Sequence, residues 1–115
     1  MRRQKRRPWR ERALAGLGLL AYLQGDHADA RRHLEEALLI EQQNNLRERV
    51  AGTLNDLGLV AQTEGDFAGA KALYEETIRA ARDLGDTSLV ALGTHNLAGP
   101  GPHRGRLRAR SAAVD

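Results

Sequence analysis

From Leu14 to Ala98 the apolar residues return at intervals of three and four, the spacing of one face of an α-helix. Leu14, Leu17, Ala21 and Tyr22 form one such face, Ala30, Leu34, Ala37 and Leu38 the next, and Ala70, Tyr74 and Ile78 a later one. The runs are punctuated by Gly25-Asp26, Asn44-Asn45, Gly65-Asp66 and Gly85-Asp86. Glycine suits the left-handed position after a helix, and aspartate accepts from the first free amides of the next one. Gly-Asp therefore stops one helix and starts another within two residues. The pattern predicts five helices, over about 9–24, 27–43, 46–64, 67–84 and 87–98. Asn45 with Glu48 three residues on reads as a capping box in its asparagine form. Arg31 with Glu35, and Arg32 with Glu36, are spaced for ion pairs on one exposed helix face.

The first two hairpins are versions of one unit. Leu14, Leu17, Gly18, Leu19, Ala21, Gly25, Asp26, Ala28, Ala30, Glu35 and Glu36 recur unchanged forty residues later, 11 of the 27 positions in 14–40. A third copy begins, with Val90, Ala91 and Leu97 matching Val50, Ala51 and Leu57, then fails at Gly99-Pro100-Gly101-Pro102, which cannot continue a helix. A fixed period of this size predicts an all-α solenoid of stacked helical hairpins. The units are 11–45, 46–86 and a partial 87–98, with a basic arm over 1–10 and a disordered Gly/Pro/Arg tail over 99–115. Such a break is also what a truncated or frame-shifted reading frame would show near Gly99.

Charge changes the picture only at the ends. The 115 residues carry a formal net charge of +3, but residues 1–12 hold +6, residues 99–115 hold +3, and the body between holds −6. A nucleic-acid argument from basicity applies to the tails alone. There is no cysteine, hence no disulfide framework and no thiolate metal site. The charged start, the apolar run 13–23 and Ala28-Asp29-Ala30 have the outline of a secretory leader. The same apolar run recurs inside the chain, which favours a repeat helix. No apolar run reaches the ~18 residues of a membrane span.

The unit resembles the tetratricopeptide repeat, a helix-turn-helix with the pattern W-x2-L-G-x2-Y, A-x3-F and a closing Pro. Leu17-Gly18 and Leu57-Gly58 match the Leu-Gly pair, Ala30 and Ala70 match the alanine, and Leu34 and Tyr74 fill the aromatic place. Leu14 and Leu54 stand at the Trp position, Ala21 and Ala61 at the Tyr position, and the closing Pro is missing. The period of forty is similar to the longer variety found in bacterial signal-transduction regulators. The nucleotide-binding and DNA-binding domains that accompany it there have no motif here.

That resemblance implies that the first helices of the units form a concave wall. Its positions fall on Arg12, Ala15, Leu19 and Tyr22, on Asn55, Leu59 and Gln62, and on Leu92 and His95. Asn55 is placed to hydrogen-bond an extended peptide, although the lysine that completes a carboxylate clamp in some members has no counterpart beside it. The implied function is a protein-interaction or scaffold module of the cytoplasm, binding a peptide or helix and related to a regulatory protein. The alternatives are a nucleic-acid-binding accessory acting through the basic tails, or an oligomerisation element that self-associates through helix 87–98. No membrane partner is expected.

Catalytic chemistry finds no constellation. His27 and His33 are six apart on one helix and share no face, and no carboxylate completes a metal triad with them. Glu35-Glu36 and Glu75-Glu76 are sequence neighbours, so they point in different directions and do not form an acid/base pair. Gly16-x-Gly18 lies inside a helix. The expectation is a non-enzyme without catalytic, cofactor-binding or metal residues.

Overall fold

The computed structural model describes residues 8–99. They form five helices: α1 (Pro8–Leu23), α2 (His27–Gln43), α3 (Arg47–Thr63), α4 (Phe67–Leu84) and α5 (Thr87–Ala98). There is no strand among the described residues. Each helix packs on the next to give two hairpins, α1/α2 and α3/α4, with α5 closing on the second. Helix α1 begins at Pro8, where a fixed φ and a missing amide cost nothing. Residues 8–10 of the expected arm are thus helical. Residues 1–7 of that arm and the expected tail over 100–115 lie outside the described residues.

One turn geometry recurs every twenty residues. Gly25, Asn45, Gly65 and Gly85 all have positive φ, at 84°, 56°, 86° and 74°. After each, the next amide donates to a carbonyl five residues back: Asp26 to Ala21 at 2.8 Å, and Leu46 to Glu41, Asp66 to Ala61 and Asp86 to Ala81 at 2.9 Å. This is the Schellman closure, which satisfies carbonyls left free at a helix end. Asp26, Asp66 and Asp86 then accept from Asp29, Gly69 and Leu89 amides at 3.2, 2.9 and 3.0 Å. The capping box expected at Asn45 does not form. Asn45 takes the left-handed place that its short polar side chain tolerates, and Leu46 becomes a cap without a side-chain bond. Asn44 Nδ2 donates to the Ile40 carbonyl at 2.9 Å instead, closing α2 from its C-terminal side.

Small residues set the distance between paired helices. A Cβ built on Gly18 would stand 2.7 Å from Leu34 Cγ, and one on Gly58 would stand 2.5 Å from Tyr74 Cε1. The equivalent glycines of both units thus meet the equivalent large side chains of their partner helices. The core falls into two groups. Ala21, Ala30, Leu34, Leu57 and Val60 form the first, and Ala61, Ala70 and Tyr74 form the second with Leu59, Leu73 and Leu97 beside them. Leu57 of one unit therefore sits on the hairpin before it, and Leu97 does the same on the second hairpin.

Two expectations about side chains change. Arg31 bonds Glu64 at the end of α3, and Arg32 bonds Asp29, so neither makes the pair spaced at i,i+4. The bond to Glu64 ties the hairpins together, whereas Glu35 and Glu36 stay exposed. Leu17, expected on a buried face, is largely exposed, and so are Leu19, Leu20 and Leu23. At the other end Val90 and Leu97 are half-buried, leaving Leu92 as the exposed leucine of α5.

Two glycine substitutions in α3 separate packing from propensity. Gly52 has nothing within 4 Å of a Cβ, so Gly52→Ala is expected to stabilise by about 0.5–1 kcal/mol through helix propensity. Gly58→Ala meets a buried ring and is expected to cost about 1–3 kcal/mol despite the same propensity gain. Urea unfolding midpoints of the two variants should move in opposite directions. Equal shifts would contradict the close approach at Gly58.

Candidate functional site

The first helices of the units, α1, α3 and α5, touch one another in sequence and form one wall. Two hydrogen bonds knit that wall, each joining residues 41 apart. Tyr22 OH donates to Thr63 Oγ1 at 3.4 Å, the threonine's own proton going to the Leu59 carbonyl at 2.8 Å, and Asn96 Nδ2 donates to Asn55 Oδ1 at 2.9 Å. A step of forty reaches the same position in the next unit, so a step of 41 reaches the side chain one place further round.

Of the residues expected on this wall, Asn55, Gln62 and Tyr22 each engage a side-chain oxygen with another helix. Asn55 is 4% exposed, with its carbonyl oxygen bonded to Asn96. Gln62 Oε1 accepts from Tyr74 OH at 2.6 Å, so its amide braces the junction of α3 with α4. Tyr22 is half-buried against the first core group, with its ring 6.1 Å from that of His27. Leu59 and Ala15 are half-buried. The side chains left open are Arg12, Leu19, Leu92 and His95. These open side chains are two leucines, an arginine and a histidine.

Asp56 escaped the sequence reading. It is half-buried, and burial raises its carboxyl from 3.8 to about 6, with no other cause acting on it. Its counterparts one unit away are Gly16 and Asn96. Asn96 reaches Asn55 across a step of 41. The same step from Asp56 leads to Ala15, which has no donor to offer. The signal lay in comparing columns of the repeat: an acid stands beside an alanine where the next unit has an amide beside an amide.

A second polar feature lies away from the wall. Glu41 is 1% exposed, and its Oε2 accepts from Thr53 Oγ1 at 3.0 Å. In the twenty-residue register it stands where Ala21, Ala61 and Ala81 stand. A cleft of about 360 Å³ opens beside it, lined by Asn45, Arg47 and Val50 and by Asp83 and Leu84 at the end of α4. No group of three His, Cys, Asp or Glu able to hold a metal ion occurs among the described residues.

Five helices, identical turns, paired glycines and a wall of alternate helices describe a helical-repeat stack. A family model described as tetratricopeptide repeat matches residues 9–83. The chain belongs to the tetratricopeptide repeat family. The match spans nearly all of α1 to α4, and α5 follows as the first helix of a further repeat. No curated protein sequence matches the chain closely enough to name a relative. Within the repeats, position in the array decides whether an identical residue is covered, as Leu17 and Leu57 show.

Asp56 gives the repeat wall a pH signature. Its folded value of about 6 lies above the unfolded 3.8, so the fold favours the neutral acid. Stability is unaffected below 3.8, falls as pH rises through the interval, and levels off above about 6. Asp56→Asn should therefore stabilise at pH 7 by at most about 3 kcal/mol and change little at pH 4. Urea melts at the two pH values check this. An equal difference at both would mean that charge burial is not the cause.

Proposed function

We propose that this tetratricopeptide repeat chain is a non-catalytic interaction module whose α1–α3–α5 wall binds a segment of another protein. The observation that carries the reading is that Leu19 and Leu92 stand exposed on the wall while Asn55, Gln62 and Tyr22 spend their polar groups on neighbouring helices. A wall of that kind favours the apolar side of an amphipathic helix over an extended peptide held by its backbone. Asn55 then keeps α3 and α5 in register, and Arg12 offers a point for an acidic group of the partner. A scaffold or regulatory role in the cytoplasm accords with such a module. No helix among the described residues is long and apolar enough to cross a membrane.

The test is affinity capture with the whole chain, carried out with and without nuclease. Leu19→Asp with Leu92→Asp is expected to lower recovery of the captured protein by roughly tenfold or more, since exposed aliphatic anchors dominate such interfaces. Asn55→Ala should lower the melting temperature more than it lowers capture. Capture that survives the double substitution would overturn the wall as the binding surface. Capture that vanishes with nuclease would favour nucleic acid held by the basic ends.

A further inference from the structure

The stacking register identifies a second surface, on the opposite side of α1 from the wall. In α3, Leu57 and Val60 are 4% and 1% exposed because they pack on Ala30 and Leu34 of the hairpin before them, with Leu38 alongside. In α5, Leu97 occupies the same position as Leu57 and packs on Tyr74 and Leu73 of the second hairpin. The corresponding residues of α1 are Leu17 and Leu20, and they are 48% and 50% exposed. The residue type, the helix and the register agree. What differs is that no described helix lies on the N-terminal side of α1. Helical geometry, at ~100° per residue, puts Leu14, Leu17, Leu20 and Ala21 on one side and Arg12, Ala15, Leu19 and Leu23 on the other. This surface is thus separate from the proposed peptide wall.

We propose that the Leu17–Leu20 face of α1 docks, in trans, an amphipathic helix of the α2 type: an aliphatic stripe of the Ala30, Leu34, Leu38 spacing, flanked by acidic residues. The stripe follows from the interface one unit further along, where α3 offers Leu57 and Val60 to that very pattern. The acidic flanks follow from charge. Residues 1–12 carry +6, and Arg10, which helical spacing puts on the Leu17 side, already pairs with an acidic residue of α2, Glu36, at 3.7 Å. Residues 1–7 read MRRQKRR, without an aliphatic residue. Leucines side by side at half exposure leave apolar surface in water, which is costly. That cost is what a docking helix would relieve.

The probe is a fluorescent peptide of residues 27–43, held helical by a hydrocarbon bridge between its exposed positions 32 and 36. It is titrated into the whole chain and followed by anisotropy. The expected result is saturable binding in the micromolar range. Leu17→Asp with Leu20→Asp should weaken it by about tenfold or more, and Leu34→Asp in the peptide should do the same. Leu19→Asp with Leu92→Asp on the wall should leave it unchanged, which keeps this inference distinguishable from the proposed function. Both α1 positions are half exposed, so the variant should fold, and circular dichroism checks that it does. Absence of binding overturns the proposal, as does binding indifferent to the α1 substitutions. Light scattering that shows a dimer, reduced to a monomer by Leu17→Asp with Leu20→Asp, overturns it in favour of a second copy on this face.

Discussion

The closeness of helix pairs at Gly18 and Gly58 is the constraint on which the rest depends. At each, the partner helix presents a large side chain to the bare backbone, Leu34 in the first hairpin and Tyr74 in the second. A glycine in mid-helix costs roughly 1 kcal/mol relative to alanine, and here the cost is offset by burying Leu34 and the Tyr74 ring completely. That burial carries consequences outward. Tyr74, packed against Gly58, also donates from its OH to Gln62, and Leu34, packed against Gly18, shares a core group with Leu57 and Val60 of the next hairpin. Spacing within a hairpin therefore governs stacking between hairpins.

Helix number and order were legible because several local signals agreed: apolar spacing, Gly-Asp punctuation and a forty-residue period. The failures are instructive where a single residue had two uses. Asn45 satisfies both a capping box and a left-handed turn, and the second use wins because the Schellman bond from Leu46 to Glu41 requires it. Arg31 had a partner one turn along its own helix, yet Glu64 of the next hairpin is where its guanidinium goes. A sequence lists neighbours along one helix more readily than neighbours across two, so tertiary alternatives of this sort stay hidden. The twenty-residue turn was hidden for a related reason. Alternate helices bury different residues, so the apolar pattern repeats at forty while the backbone repeats at twenty.

The wall shows the same limit in chemical terms. Family positions picked out its residues, but position says nothing about whether a polar group is already engaged. Asn55, Gln62 and Tyr22 are engaged, each with a residue on another helix, and Arg12, Leu19, Leu92 and His95 remain open. Asp56 is the converse case. It sits in a column that contains a glycine and an asparagine, so no counterpart in the other units marks it as an acid. Its raised carboxyl value follows from burial, which a pattern of residue types does not record.

Repeats make the relation between residue and environment unusually explicit, because the same side chain is seen in two settings. Leu57 and Leu17 differ in nothing that a pattern of apolar positions records, yet one is buried and the other open. Their difference lies in what precedes each in space. A hydrophobic pattern therefore defines the faces a helix can bury, and the array decides which of them are buried within the described residues. Arg10 and Glu36 show that charge at the start of α1 already engages an acidic helix, α2, on one side. Leu17 and Leu20 stand exposed at the register where, one unit on, Leu57 and Val60 pack against Ala30 and Leu34. Covering them requires no new mode of recognition, only one more turn of the packing that α2 and α3 already use.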